Sequence, residues 1–264
     1  MQPHWLQEHL HDPGLRLAEV DVSPVTYDQG HIEGAVLWNV YRDLKDTNYQ
    51  LVDKTMVEAL VTHSGIAADT TVVFYGYAPA MGFWLMKLYG HADVRILDCS
   101  RGTWEQEAGL DQDVATPQTA HYPLPDQDER IRATQSAVQA GIDDPTCAIV
   151  DVRTDSEFRG ERFCPSGDLE PGGRAGHVPT ARSLSFEGLR DEQGFFRSAA
   201  DVSQLLAAIG SSDGGEVIPD CTIGARACTA WFALTYLLGR RNVRVYDGSW
   251  AEWGRMPAAP VERC

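Results

Sequence analysis

The stretch Val217-Ile218-Pro219-Asp220-Cys221-Thr222-Ile223-Gly224-Ala225-Arg226 holds the residue types best suited to chemistry. An apolar run ends on a cysteine, a glycine follows, and an arginine stands ahead of the helical run Ala227 to Leu238. This reads as a strand, a loop and a helix whose first turn faces back toward the sulfur. A helix N-terminus leaves backbone N–H groups unpaired and carries a partial positive charge. A cysteine held there ionises more readily, and the thiolate is the reactive form. The pattern predicts that Cys221 is a nucleophile, open to solvent, with the amide hydrogens of the loop turned toward it. Cys147, beside Ala148-Ile149-Val150, reads instead as a packing cysteine. Gly224 and Arg226 are poor lining for an apolar core, which separates the two cases. A cation at a helix start is unfavourable unless an anion lies near, so Arg226 is expected to contact an anionic substrate. Asp220 would oppose ionisation of the thiol if it faced the sulfur, but strand alternation sends it to the other side.

The elements that must position this loop follow from patterning. Leu15 to Asp21, Thr71 to Tyr75, Val94 to Asp98, Cys147 to Asp151 and Val243 to Asp247 read as strands. Helices are predicted from a Thr55 cap with Glu58 at the third position, over Met81 to Leu88 ended by Gly90, over Thr134 to Gly141, and from Ser198 to Ile209 ended by Gly210. Phe158 to His177 reads as a long ordered loop. Pro117, Pro123 and Pro125 lie among polar residues with no periodicity, so 110–129 reads as a linker between domains 1–109 and 130–264.

The composition narrows the function classes. The chain has 264 residues, 43% hydrophobic and 23% charged, as in an ordinary globular protein, and two domains fit that length. A net charge of −16 argues against nucleic acid or an anionic membrane as partner. It also means that an anionic substrate needs a local basic pocket. No apolar run is long enough to span a bilayer, and the N-terminus lacks a signal-peptide layout, so a cytoplasmic location is expected. The cysteines lack paired spacing, so neither a disulfide framework nor a zinc site is expected. No role is read for Cys99, Cys228 or Cys264.

Self-comparison supplies the architecture. Ala18-Glu19-Val20-Asp21 answers Ala148-Ile149-Val150-Asp151. Gly30-His31-Ile32-Glu33-Gly34-Ala35 answers Gly176-His177-Val178-Pro179-Thr180-Ala181. Val94 to Asp98, with Trp104 beyond, answers Val243 to Asp247 with Trp253 beyond. The order is kept and the offset is nearly constant. The fold class expected is α/β, two tandem copies of one domain, each a mainly parallel sheet with helices on both faces. Where the second copy has Cys221 the first has about Gly76 and no thiol, so only the second copy is expected to be catalytic. His31 recurs with His177 in the copy that lacks the nucleophile, which makes a turn-bracing role the better reading of both.

These features together resemble the tandem-domain rhodaneses, the family of thiosulfate and 3-mercaptopyruvate sulfurtransferases. The carriers are Asp151-Val152-Arg153, Phe158-Arg159-Gly160, Gly176-His177-Val178-Pro179 with Ala181, the Cys221–Arg226 loop, and Asp247-Gly248-Ser249-Trp250 with Trp253. The resemblance covers nearly the whole chain. It implies a six-residue active loop, Cys221-Thr222-Ile223-Gly224-Ala225-Arg226, a persulfide intermediate, and no metal or organic cofactor. It also implies Arg159 and Arg174 as further substrate contacts. The partners it implies are a small anionic sulfur donor and a thiol or cyanide acceptor. Thr222-Ile223 matches neither the basic residues of thiosulfate-using relatives nor the Gly-Ser of mercaptopyruvate-using ones; thiosulfate is placed ahead of 3-mercaptopyruvate as donor.

Two other readings compete. A cysteine phosphatase of related fold needs a loop one residue longer to wrap a phosphate, and the Cys221–Arg226 spacing is too short. A non-catalytic binding or persulfide-carrier module would suit a chain lacking Cys221, as the first copy does.

Overall fold

In chain order the first half runs α1 (Pro3–His9), β1 (Leu15–Asp21), α2 (Val25–Gln29), β2 (Val36–Asn39), α3 (Lys54–His63), β3 (Thr71–Gly76), α4 (Pro79–Leu88), β4 (Val94–Ile96) and α5 (Arg101–Ala108). The second half runs β5 (Arg132–Ala133), α6 (Gln135–Ile142), β6 (Cys147–Asp151), α7 (Asp155–Phe158), β7 (Arg182–Ser183), α8 (Ala199–Ala208), β8 (Glu216–Asp220), α9 (Ala225–Phe232), β9 (Val245–Tyr246) and α10 (Ser249–Trp253). The computed structural model describes residues 1–164, 173–209 and 214–263. Part of the long loop expected between Phe158 and His177, and the Gly210 helix stop, lie outside the described residues.

The expected architecture is present in both halves. The first sheet is ordered β2-β1-β3-β4, with every pair parallel. The second is ordered β7-β6-β8, again parallel, and a single parallel bridge from Val217 to Val243 ties β8 to the segment leading into β9. β5 pairs with β9 and has no counterpart in the first half. The central strand β1 is buried at nearly every position rather than at alternate ones. Parallel strands covered by helices on both faces have no solvent side to alternate with.

The chain divides into two units. One comprises Met1–Asp46, Leu51–Asp128 and Glu192–Phe196; the other comprises Thr47–Gln50, Glu129–Asp191 and Arg197–Cys264. The stretch 110–129, read as a linker, is therefore mostly part of the first unit. Tyr122 and Leu124 are buried there. The Tyr122 hydroxyl meets His91 Nδ1 at 3.0 Å, and the Ala120 and Asp128 amides donate to the Thr62 and Leu88 carbonyls. Two buried apolar side chains within a Pro-bearing stretch are too few to set up a periodicity.

Helix starts were legible to within a residue or two. Thr134 and Ser198 cap α6 and α8 through their hydroxyls, as their types require. The cap of α3 is Asp53, whose carboxylate accepts the Met56 amide, rather than Thr55. Continuing α9, Ala233–Leu237 closes a wider π turn, so the apolar run to Leu238 is one helical segment with a change of pitch.

The repeat is also visible in its braces. His31 stacks on Tyr27 at 3.9 Å and its Nδ1 meets the Tyr27 carbonyl at 3.0 Å. His177 stacks on Phe158 at 3.7 Å and its Nδ1 meets the Phe158 carbonyl at 2.9 Å. Each histidine also makes a two-way backbone bridge to a later segment, His31 with Asp111 and His177 with Glu262. Both side chains hold a turn to a neighbouring aromatic, which is the bracing role expected of them.

Candidate functional site

β8 delivers Cys221 to the C-terminal edge of its sheet, and α9 begins at Ala225. Of the six residues Cys221 to Arg226, the first four lie between β8 and α9 and the last two open the helix. The Gly224 amide donates to Cys221 Sγ at 3.1 Å. That orientation is imposed from behind. The Trp250 and Ala251 amides, in the first turn of α10, donate to the Cys221 and Thr222 carbonyls at 3.0 and 2.8 Å. With its carbonyls drawn toward α10, the loop turns amide hydrogen toward the sulfur. The Cys221 amide donates to Ser249 Oγ at 3.0 Å, and that hydroxyl donates to the Tyr246 carbonyl at 2.7 Å. Gly224 has φ of 87°, the left-handed region that favours glycine.

The first half lacks this construction altogether. β3 ends at Gly76 and α4 starts at Pro79, so only Tyr77 and Ala78 intervene. The first copy has lost the loop as well as the thiol, and Gly76 is a close-packing position: a Cβ there would meet the Glu19 side chain at 2.9 Å.

One expectation about the sulfur is met and another is not. An amide faces it, but Cys221 is fully buried, at 0% exposure, with Thr222 at 4% and Ile223 at 6%. The sulfur expected to be open to solvent is closed off in this conformation. Of the other cysteines, Cys147 sits half-buried, and burial pushes its thiol up to about 11, consistent with packing.

Arg226 does not point toward open solvent or an empty anion site. Its guanidinium forms a two-pronged pair with Glu157, Nη1 to Oε2 at 2.8 Å and Nη2 to Oε1 at 2.6 Å, and also donates to Thr222 Oγ1 at 2.5 Å. Thr222 in turn donates to Glu157 Oε1 at 2.8 Å. The anion demanded by a cation at a helix start is thus supplied by the chain itself. Glu157 closes a capping box on α7 with Thr154, and sequence reading passed over it. Its only local signal was the Thr154-Asp155-Ser156-Glu157 spacing, which marks a helix start. Burial would push the Glu157 carboxyl up, but the hydrogen bonds and charge of Arg226, with the Thr154 amide and the Thr222 hydroxyl, outweigh it and hold it at about 2.

A folded-state value depressed below the ordinary 4.5 gives stability that is complete above pH 4.5 and lost as pH falls toward 2. Denaturant titrations between pH 5 and pH 2.5 should show this loss, on the order of 3 kcal/mol in full. Glu157→Gln should flatten that part of the curve.

The other two arginines are placed elsewhere. Arg159 is half-exposed and its Nε donates to Glu161 Oε1 at 2.9 Å. Arg174 donates to four backbone carbonyls, those of Trp253, Gly254, Met256 and Ala259, at 2.7 to 3.1 Å. It ties off the end of α10, where helix carbonyls lack partners. Arg174 is therefore engaged as a structural clamp rather than as a contact for a donor. Arg174→Ala should lower unfolding free energy by about 2–4 kcal/mol while changing the donor KM little; a large KM rise at unchanged stability would return it to the site.

Behind the loop lies a buried ionic layer. Arg153 pairs with Asp151 at 2.6 Å, both fully buried, and its guanidinium lies 4.8 Å from the centre of the Trp250 ring. Asp220, opposite Asp151 in the strand register, has no hydrogen-bond partner for either carboxyl oxygen among the described residues. Burial, and then the Asp151 charge, hold it well above the usual carboxylate range. Its neutral form is thereby favoured over a second negative charge next to the cysteine.

Comparison with known proteins yields consistent matches. A family profile described as "Rhodanese-like domain" matches residues 2–107 and 134–256. A Haloferax volcanii protein provisionally named thiosulfate sulfurtransferase is 38% identical, over 98% of this chain and 94% of its own. The sulfur carrier protein TtuD of Thermus thermophilus is 36% identical, over 98% of this chain and 94% of its own. Among solved structures, an anaerobic ergothioneine biosynthesis enzyme from Chlorobium limicola, in complex with trimethyl histidine, superposes with a TM-score of 0.85. It is 21% identical, with 100% of this chain and 69% of that one covered, and the likeness is one of fold. Among the described residues, no helix is long and apolar enough to cross a membrane.

Proposed function

The chain belongs to the rhodanese-like domain family and is a sulfurtransferase, and from that premise we propose that Cys221 carries the transferred sulfur. The donor in this reading is a small sulfur-bearing anion, thiosulfate or 3-mercaptopyruvate, and the acceptor is a thiol or cyanide. The observation that supports it most is the Gly224 amide 3.1 Å from Cys221 Sγ, on a loop held from behind by α10.

The chemistry follows from that arrangement. The Cys221 thiolate attacks the outer sulfur of thiosulfate. A new S–S bond forms as the old one breaks, and the bonding pair leaves with sulfite. Negative charge then rests on the outer sulfur of Cys–S–S⁻. The first-turn amides of α9 and the Gly224 N–H stabilise it as a helix N-terminus stabilises an anion. An acceptor thiolate or cyanide takes that outer sulfur and restores the Cys221 thiolate. Splitting the transfer in two lets donor and acceptor use one small site in turn. Because Cys221 is closed off, each half-reaction includes an opening of the wall around it.

The distribution of arginines refines the reading. With Arg226 paired to Glu157, Arg159 to Glu161 and Arg174 on backbone carbonyls, backbone amides rather than these three arginines meet the donor's charge. The test is intact mass after incubation with each donor. Thiosulfate or 3-mercaptopyruvate should add one sulfur, lost again on adding cyanide. No gain from either donor would remove the proposal and favour a binding module.

A further inference from the structure

Glu157 accepts five hydrogen bonds: from the Thr154 amide and hydroxyl, from the Thr222 hydroxyl, and from two guanidinium nitrogens of Arg226. Thr222 and Arg226 are the second and last residues of the Cys221 loop. One fully buried carboxylate therefore engages both polar side chains of the cradle and matches the charge of its one cation. Thr222 is the residue after Cys221 in sequence, so through its hydroxyl the carboxylate holds the loop position next to the nucleophile. It remains ionised throughout the neutral range, being held at about 2.

Resting on the sulfur-transfer reading above, we propose that Glu157 sets the donor charge the site accepts. By neutralising Arg226 and fixing Thr222, it leaves the Cys221 loop with no net positive side chain, and so disfavours a second negative charge on the donor. The electrostatics point one way. The chain carries a net charge of −16, so a doubly charged donor is repelled in bulk. Inside a site of low dielectric, one uncompensated unit of charge a few ångströms away changes affinity by an order of magnitude or more. Whether Arg226 is offset by Glu157 should therefore decide how well a dianion competes with a monoanion.

Two donors isolate this variable. Thiosulfate and methanethiosulfonate present the same transferable sulfur on a sulfonyl sulfur, but the first bears two negative charges and the second one. In both, the Cys221 thiolate forms the new S–S bond while the old bond's electron pair leaves, with sulfite or with methanesulfinate. The quantity to measure is the second-order rate of sulfur gain at Cys221 for each donor, followed by rapid quench and intact mass, expressed as the thiosulfate to methanethiosulfonate ratio.

Glu157→Gln should raise that ratio about tenfold, because Arg226 then stands uncompensated. Arg226→Gln should lower it at a pH high enough to ionise the carboxyl, which burial pushes up once Arg226 is gone, because that charge then stands alone. The double variant should return it to near the wild-type value. A Glu157 that only stiffens the loop would slow both donors equally, so an unchanged ratio overturns the proposal, as does a shift of the same sign in both single variants. If Glu157→Gln does not fold, Arg226→Gln and the double variant still decide: no restoration in the double variant overturns the proposal. Failure of the wild-type protein to gain sulfur from either donor would instead overturn the transfer reading on which this one rests.

Discussion

Cys221→Ser should abolish sulfur gain and turnover, by at least about 10³-fold, while leaving stability within about 1 kcal/mol. The size of the loss follows from the chemistry asked of the atom. An alcohol at neutral pH is scarcely ionised, and an oxygen–sulfur adduct gives no persulfide to hand on. The packing cysteine Cys147 is not placed to substitute. Cys147 is half-buried with its thiol pushed up to about 11, and it lies at the opposite, N-terminal end of the register that pairs β6 with β8. The conserved stability follows from the size match of Ser to Cys. The hydroxyl can still accept the Gly224 amide that now meets Sγ. Turnover of thiosulfate to sulfite, read with cyanide as acceptor, and thermal unfolding measure the two halves. Residual transfer above a few per cent of wild type would move the nucleophile elsewhere.

The loop and the duplication were legible because each leaves a local pattern. An apolar strand ending in Cys221, with Gly224 before a helix, is readable at short range. The recurrence of Gly30-His31 and Gly176-His177 is readable at a fixed offset. Their shared geometry, a histidine stacked on Tyr27 or Phe158 and bonded to its carbonyl, shows that the pattern reported packing. What was not legible depends on contacts distant in sequence. The reasoning that Arg226 needs an anion was sound, but the anion is Glu157, 69 positions away, and not a substrate. Arg174 shows the same limit: beside Gly176 and His177 it looks like a substrate arginine, yet its four acceptors lie 79 to 85 positions downstream. Charge type is written in the sequence, whereas the partner that absorbs the charge is chosen by the fold. Glu157 was missed because its spacing from Thr154 already had a sufficient explanation as a capping box. One carboxylate serves both that cap and the Cys221 loop.

Gly224→Ala should cost about 2–4 kcal/mol of stability and lower transfer by about 10²-fold or more. Two independent effects converge there. At φ of 87° an L-residue pays for the left-handed backbone in steric strain. A Cβ would also stand 2.6 Å from the Asp247 carbonyl oxygen and 2.8 Å from its Cα. Backbone atoms cannot swing aside as a flexible side chain can. Asp247 is further held by its carboxylate pair with Arg132 at 2.8 Å. The loop must therefore move instead, and the residue that moves is the one whose amide donates to the sulfur. Removing a single preorganised donor from a developing anion typically costs two to three orders of magnitude in rate, roughly 10²–10³. The two effects can be told apart by adding donor at saturation. Strain alone lowers the melting temperature, whereas loss of the amide lowers kcat for every donor alike, since in the proposed mechanism it acts on a persulfide anion common to all. If Gly224→Ala transfers sulfur at the wild-type rate when folded, the amide at 3.1 Å contributes nothing to catalysis, and the charge on the outer sulfur is met by the first turn of α9 alone.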